Sequence, residues 1–317
     1  MTSVAGYGPP PREVSDFRGP HEVSDLAGTP GLPPHQISDF AGTPGLPPHQ
    51  ISDLAGTPGL RFSDRGLPPL HYFGRIIGQP PIWLEGRVLS ENLRLRGTAI
   101  YAGDGLPRGT GQPVLLIPGF MAGARSLATL QGWLLRIGYH AEITGVGFNV
   151  RHSEAILNMV LLRLVDLYGW LGQRVTLIGH SRGGLLAKVA AHRHPEMVEC
   201  VAALGAPLAD PYDISPFTMA GVRMAQAFNL VRFGRTGAVE RPFLQDLAAP
   251  ARRPLVSVYS RTDAIVHWRA CIRPDARCVE VVSSHVGLAV NPDVYAVLAH
   301  LLASPGRPWR RPSATYV

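Results

Sequence analysis

From residue 72 to residue 302, short apolar runs alternate with longer segments of helical periodicity. A short uninterrupted apolar run fits a strand buried on both faces, whereas apolar residues three and four apart fit a helix. The predicted strands are Val114–Phe120, His140–Thr144, Arg174–Ile178, Val198–Leu204, Leu255–Ser260 and Cys278–Val282. The predicted helices are Ile82–Leu95 on the outside of the core, Ser126–Ile137, Ser153–Leu171, a segment ending near His194, and Asn291–Leu302. The alternation predicts an α/β domain with a mostly parallel sheet and helices on both faces.

The longest break in this alternation runs from Ala206 to Pro250, between two predicted strands. Within it, Phe217–Phe233 has helical spacing and more apolar residues than one helix face can bury. An insertion of this length is usually functional or disordered, and its composition does not suggest disorder. We therefore predict a helical cap over about 206–250. Its candidate substrate contacts, together with one residue after the first strand, are Met121, Phe217, Met224 and Phe228; packing within the cap itself is the alternative.

An internal repeat precedes this domain. His21–Pro34 recurs at His35–Pro48 and, in shortened form, at His49–Leu60. Each copy has only two or three large apolar side chains, too few to offset the entropy lost on ordering. We predict that residues 1–70 form a disordered Pro/Gly-rich extension, with a Pro-rich docking ligand as the alternative. The α/β domain then covers 71–305, and residues 306–317 form a basic tail.

The chain of 317 residues carries a formal net charge of +7. Its basic residues are all arginine except Lys188, and they do not form the aromatic-interleaved basic stripe of a nucleic-acid surface. The three cysteines have no metal-ligand spacing; Cys271 and Cys278 are close enough to be bridged, but we expect free thiols. The chain shows neither a signal-like N-terminus nor about 18 uninterrupted apolar residues, which favours a cytoplasmic protein without a transmembrane segment.

Ser181 lies in the one stretch whose pattern points directly to chemistry. Gly179-His-Ser181-Arg-Gly183 follows a buried strand and opens a helix rich in small residues, which is the context of a nucleophile elbow. The two glycines allow the strand and the helix to pass closely while the serine hydroxyl is lifted onto the turn. The alternative is a Gly-rich turn with an incidental serine.

A serine nucleophile needs a base and a group that orients the base. In chains with this elbow the acid follows the serine and the histidine comes last. Asp263, in the loop after the strand Leu255–Ser260, fits the acid, and His285, in the loop after the last strand, fits the base. All three would lie at one edge of the sheet. His267 is the rival base, and Asp210 and Asp213 are rival acids.

An oxyanion that develops during acyl transfer needs two donors. The backbone N–H of Arg182 follows the nucleophile, and Phe120, behind Pro118-Gly119 at the end of the first strand, is expected to supply the second. The alternative is that Pro-Gly-Phe is only a turn.

These segments together resemble the α/β-hydrolase superfamily, in its lipase/esterase branch. The resemblance covers about residues 75–305. It implies an α/β-hydrolase fold with a helical cap. The residues that carry it are Leu116-Ile-Pro-Gly-Phe120, Gly179-His-Ser-Arg-Gly-Gly184, Leu204-Gly-Ala-Pro207, Tyr259-Ser-Arg-Thr-Asp-Ala-Ile-Val266 and Ser284-His-Val-Gly287. The chain departs from many relatives in having Pro118 where they have His, and Ala264 where they have Gly.

The leading hypothesis from the sequence is therefore a serine ester hydrolase, a carboxylesterase or lipase, acting on a hydrophobic small-molecule or lipid ester through an acyl-enzyme. No metal or organic cofactor is expected. An acyltransferase or thioesterase with the same three residues is an alternative within enzymes. A non-catalytic hydrolase-fold binding protein is the alternative from another class.

Overall fold

The computed structural model describes residues 80–147, 149–233 and 240–305. The repeats, the rest of the segment up to residue 79 and the basic tail 306–317 lie outside these ranges, so the expectations for both ends of the chain stay predictions.

Six strands form one sheet in the order β2-β1-β3-β4-β5-β6, and every described pair is parallel. The strands are β1 (Pro113–Ile117), β2 (His140–Ile143), β3 (Val175–His180), β4 (Val198–Leu204), β5 (Leu255–Tyr259) and β6 (Arg277–Glu280). All six were predicted from apolar runs. Because the strands are parallel, their carboxyl ends meet at one edge of the sheet, where an open α/β protein places its site.

Eight α-helices accompany the sheet in the described ranges. They are α1 (Val88–Arg96), α2 (Ala99–Ala102), α3 (Ala128–Arg136), α4 (Ser153–Leu171), α5 (Arg182–Arg193), α6 (Pro216–Phe233), α7 (Arg241–Ala248) and α8 (Pro292–Ala303). Within the described ranges, no helix is both long enough and apolar enough to cross a membrane.

Side-chain alternation along β1 shows how the two faces of the sheet are filled. Val114 and Leu116 join a core built with α3 and α8, whereas Leu115 and Ile117 join a core built with α4, α5 and α7. All four are buried because helices cover both faces of the sheet. The predicted layer arrangement is therefore confirmed, and the fold is that of an α/β-hydrolase.

The N-terminal helical segment packs against the core through a few buried residues of α1. A 3₁₀ turn, Ile82–Arg87, leads into α1, and Leu95 of α1 belongs to the core with α3 and α8. Glu91 is also buried. The segment therefore packs on the outside of the core, as expected, with Leu89 and Leu93 exposed to solvent.

The interval between β4 and β5 contains two helices, and the sequence had suggested only α6. The second, α7, is short, and buries Phe243 and Leu247 in the core that α5 also joins. Lys188 of α5, the one lysine of the chain, donates from Nζ to the backbone oxygens of Asp246 and Ala249. The buried lysine therefore satisfies carbonyl groups at the end of α7 that have no partner within the helix.

Two glycines of the motif, Gly179 and Gly183, allow β3 and α5 to pack closely. A Cβ at Gly179 would overlap the carbonyl oxygen of Gly183, and a Cβ at Gly183 would overlap the carbonyl oxygen of Ile117. Both contacts involve backbone, which cannot move aside as a side chain could. The spacing of Gly-x-Ser-x-Gly thus follows from helix-to-strand contact.

We expect Gly183→Ala to lower the free energy of unfolding by about 1–3 kcal/mol or more, because its methyl group must displace β1. Gly169→Ala in α4 is the matched control: nothing lies within 4 Å of its new Cβ, and alanine favours a helix by up to about 1 kcal/mol. Urea unfolding of both variants measures the difference. Equal effects of the two substitutions would contradict this account of the motif.

Candidate active site

Ser181 lies between the end of β3 and the start of α5, in a strained backbone conformation. Its φ of 55° and ψ of −125° fall in a region that non-glycine residues rarely adopt. The Ser181 N–H donates to the carbonyl oxygen of Leu204 at 2.8 Å, which ties the turn to the end of β4. The serine stays partly exposed, so its hydroxyl is accessible from outside the sheet.

Asp263 lies in the loop that leaves β5, and only 3% of its surface is exposed. Its Oδ1 accepts hydrogen bonds from the backbone N–H groups of Ile265 at 2.8 Å and Val266 at 2.7 Å. Its Oδ2 lies 2.7 Å from Nδ1 of His285. Both oxygens of the buried carboxylate are therefore satisfied, as a buried charge requires.

His285 lies in the loop after β6 and is also buried, with its ring next to the elbow. The ring packs on Gly205, where a Cβ would come within 3.1 Å of Nδ1, and the backbone of Gly205 has the positive φ (58°) that favours glycine. His180, which precedes Ser181, contacts the His285 backbone oxygen through Nε2 at 2.9 Å. With Nδ1–H donated to Asp263, Nε2 is the ring nitrogen that can exchange a proton.

The two histidines have pKa values displaced in opposite directions. Burial lowers the pKa of His180 to about 4, with a further contribution from the nearby His285, so His180 is neutral at neutral pH. Burial also acts to lower the pKa of His285. The charge and hydrogen bond of Asp263, together with the charge of Glu85, outweigh it and raise that pKa above 6.5.

Asp213 and His267, the alternative acid and base, pair with each other. Nδ1 of His267 lies 3.0 Å from Oδ2 of Asp213, and the His267 N–H donates to the Asp213 backbone oxygen at 3.1 Å. Asp210 accepts from the N–H of Tyr212 at 3.1 Å. The Asp213–His267 pair thus fastens the insertion to the loop that carries Asp263.

The two residues suggested for the oxyanion, Phe120 and Arg182, both line the cleft beside Ser181. Arg182 is the first residue of α5, so its N–H has no acceptor within the helix. Gly119, just before Phe120, packs against Cβ of Ser181. The Arg182 side chain is held away from its own backbone, since its guanidinium donates to the backbone oxygens of Asn149 and Arg151 at 2.8 and 2.7 Å.

Two glutamates that the sequence analysis did not single out hold the loops of Asp263 and His285. Oε1 of Glu85 accepts from the N–H groups of Ala264 at 3.0 Å and His285 at 3.1 Å, and Oε2 accepts from that of Val286 at 3.0 Å. Glu91 accepts from the N–H and the hydroxyl of Ser284, at 2.8 and 2.6 Å. No sequence signal distinguishes these residues, because a glutamate on a helix is ordinarily solvated.

A cleft of about 840 Å³, including solvent at its mouth, opens beside Ser181, Arg182 and Phe120. Its apolar lining includes Leu185 of α5 and Phe243 of α7. The lining from α6 is Thr218, Val222, Ala225, Gln226 and Asn229.

The candidate substrate contacts named from the sequence need correction. Met121, Phe217, Met224 and Phe228 are between 54% and 78% exposed, and none of them lines this cleft. The three residues on α6 lie on the face opposite the lining residues. The sequence identified the helix but not the direction it faces, because its large apolar side chains lie on the exposed face.

Comparison with known proteins gives likenesses only among solved structures, at low sequence identity. No protein-family model matches it, and no curated protein does. Solved structures that resemble it include the mature form of a Bacillus licheniformis lipase, with 17% identity over 62% of this chain and 94% of that one and a TM-score of 0.48. Est1E from Butyrivibrio proteoclasticus is 20% identical over 62% of this chain and 90% of its own, with a TM-score of 0.43. Mouse alpha/beta hydrolase domain-containing protein 10 is 16% identical over 62% of this chain and 89% of its own, with a TM-score of 0.44. The fold assignment itself rests on the sheet order and the elbow.

Replacing Glu85 by Gln is expected to lower the pKa of His285, because a negative charge that favours the imidazolium is lost. Glu91→Gln is the control: its carboxylate bonds to Ser284 and not to His285, so the pKa should fall less. NMR titration of the His285 ring resonances measures both. An unchanged pKa in Glu85→Gln would show that this carboxylate has no electrostatic effect on the ring.

Proposed function

We propose that this chain, which has the α/β-hydrolase fold, is a serine hydrolase that cleaves carboxylic esters through an acyl-enzyme. In this proposal Ser181 is the nucleophile, His285 the general base and acid, and Asp263 the residue that orients the imidazole. The backbone N–H groups of Phe120 and Arg182 receive the oxyanion.

The observation that carries the proposal is the buried hydrogen bond of 2.7 Å between Asp263 and His285, next to a serine in a strained turn. A carboxylate and an imidazole also pair for structural reasons, as Asp213 and His267 do. Of the two histidines, His285 contacts His180, the residue before Ser181: the rings lie 4.8 Å apart, and Nε2 of His180 lies 2.9 Å from the His285 backbone oxygen.

The chemistry follows from this arrangement. The Ser181 hydroxyl attacks the ester carbonyl carbon while its proton passes to Nε2 of His285, and the carbonyl oxygen becomes an oxyanion. Collapse of this intermediate breaks the bond to the leaving alcohol, which takes the proton from His285. Water then attacks the acyl-enzyme, giving its proton to His285, and release of the carboxylic acid returns that proton to Ser181. Asp263 stays ionised throughout and stabilises the imidazolium.

The cleft supports an ester with an apolar portion. Leu185, Val222 and Phe243, from three different helices, contribute to its lining. Ligand sites of this kind bury most of the ligand against apolar side chains and fix its orientation with a few polar groups.

We expect Ser181→Ala to abolish covalent labelling by a fluorophosphonate probe and hydrolysis of a p-nitrophenyl ester series of increasing chain length. Wild-type protein should react with both, because the probe and the esters require the same hydroxyl. Ser90→Ala, a serine of α1, is the matched control and should leave labelling unchanged. Hydrolysis that survives Ser181→Ala in folded protein would overturn the proposal.

The pH dependence of kcat/KM should report the pKa of His285. A protonated imidazole cannot accept the serine proton, so kcat/KM should fall as the pH drops through a midpoint above 6.5. Asp263→Asn should move this midpoint to lower pH and reduce the plateau by about 10⁴-fold. Asp293→Asn, an exposed aspartate in the first turn of α8, is the control and should alter neither. A midpoint that stays in place in Asp263→Asn would contradict the assigned pair.

A further inference from the structure

Two buried polar atoms in the wall of the cleft have no hydrogen-bond partner among the described residues. They are Nε2 of His152, just before α4, and Oε1 of Gln226, in α6. Buried polar side-chain atoms are almost always paired, because an unpaired one costs folding free energy. Both residues line the cleft that also contains Ser181, so a group of a bound substrate is a candidate partner for these atoms.

The surroundings of His152 determine what its free nitrogen offers. Its Nδ1 lies 3.6 Å from Oε1 of Glu240, and that oxygen accepts from the N–H of Ser153 at 2.7 Å. A carboxylate on the Nδ1 side favours the tautomer with its proton there. In that tautomer Nε2 carries a lone pair, and a group that pairs with it donates a hydrogen bond.

Gln226 lies on the face of α6 that is turned toward the same segment. Asn229, one turn further on, donates from Nδ2 to the backbone oxygen of Val150 at 2.8 Å. Residues three apart share a helix face, so this bond holds Gln226 against the side of the cleft that contains His152. The Gln226 amide carries both an acceptor and donors.

Tyr212 adds a third polar group to this cluster. Burial, followed by the charge of Glu240, raises the pKa of Tyr212 to about 12, so its phenol keeps its proton at neutral pH. It lines the cleft together with His152, Gln226 and Glu240. We call these four residues the polar cluster. It shares a cleft with Ser181, and its chemistry differs from that of the apolar lining.

We propose that the substrate carries a free hydroxyl group, separated from the ester by an apolar portion, and that His152 and Gln226 bind this hydroxyl. A hydroxyl has one proton to donate, which goes to Nε2 of His152, and its oxygen can then accept from the Gln226 amide N–H, with the amide turned so that its nitrogen faces the hydroxyl. The inference rests on the proposed ester hydrolysis at Ser181. The hydroxyl can belong either to the acyl group or to the alcohol of the ester.

Matched substrates test the inference and separate these two sources. On the acyl side, p-nitrophenyl ω-hydroxyalkanoates are compared with p-nitrophenyl alkanoates of equal chain length. On the alcohol side, ω-hydroxyalkyl esters are compared with alkyl esters of the same acid and equal chain length. We expect kcat/KM for the hydroxylated member to be about tenfold higher or more in one of the two series, because the plain ester leaves the buried atoms unpaired.

Variants of the polar cluster should remove this preference. Gln226→Met and His152→Phe keep approximate shape without the polar atoms, so the ratio of kcat/KM between the paired substrates should fall toward one. Val231→Thr, an exposed position on the same helix, should leave the ratio unchanged. A ratio within one variant cancels any loss of folded protein, so a destabilised variant still gives an answer.

Binding to Ser181→Ala separates failure of this inference from failure of the proposed function. Calorimetric titration of that variant with both members of each pair measures affinity without turnover. About tenfold tighter binding of the hydroxylated member supports the polar cluster even if wild-type protein hydrolyses neither ester. Equal affinities and equal rates for both members of both pairs would overturn the inference, while Ser181-dependent hydrolysis would still support the proposed function.

Discussion

The buried hydrogen bond between Asp263 and His285 is the interaction on which the candidate site depends. It joins loops that leave two neighbouring strands, β5 and β6, and solvent reaches little of either partner. A carboxylate in such a position is stable only when both oxygens have partners, and the N–H groups of Ile265 and Val266 complete the set. Because Nδ1 is committed to this bond, the imidazole has one orientation and one free nitrogen.

The loops of this pair are fixed by a part of the chain that is remote in sequence. Glu85 and Glu91 make hydrogen bonds to residues 179 to 201 positions further on. Charged acceptors make stronger hydrogen bonds to backbone N–H groups than neutral ones do. The N-terminal helical segment therefore belongs to the scaffold of the site: it determines where the His285 loop lies, and Glu85 contributes to the electrostatic field at the ring.

The insertion between β4 and β5 determines what the cleft can accept. One face of α6 exposes large apolar side chains to solvent, while the other carries Thr218, Gln226 and Asn229 beside Val222. The cleft thus combines an apolar lining with a small cluster of buried polar atoms. In the proposed ester hydrolysis, a substrate that presents only hydrocarbon would leave those atoms unpaired, and we infer that the polar groups act on selectivity more than on the cleavage step.

The sequence by itself determined the sheet, the main helices and the positions of Ser181, Asp263 and His285 at strand ends, because apolar periodicity and the Gly-x-Ser-x-Gly turn are local properties of the chain. It favoured Asp263 and His285 as acid and base but kept rivals for each, and only the tertiary structure shows Asp263 paired with His285 and Asp213 paired with His267. It also gave no sign of the two glutamates or of the inward face of α6. Those depend on contacts between segments far apart in sequence. Neither a helix whose large apolar side chains face solvent nor a glutamate without a local partner shows in its own sequence what it will contact.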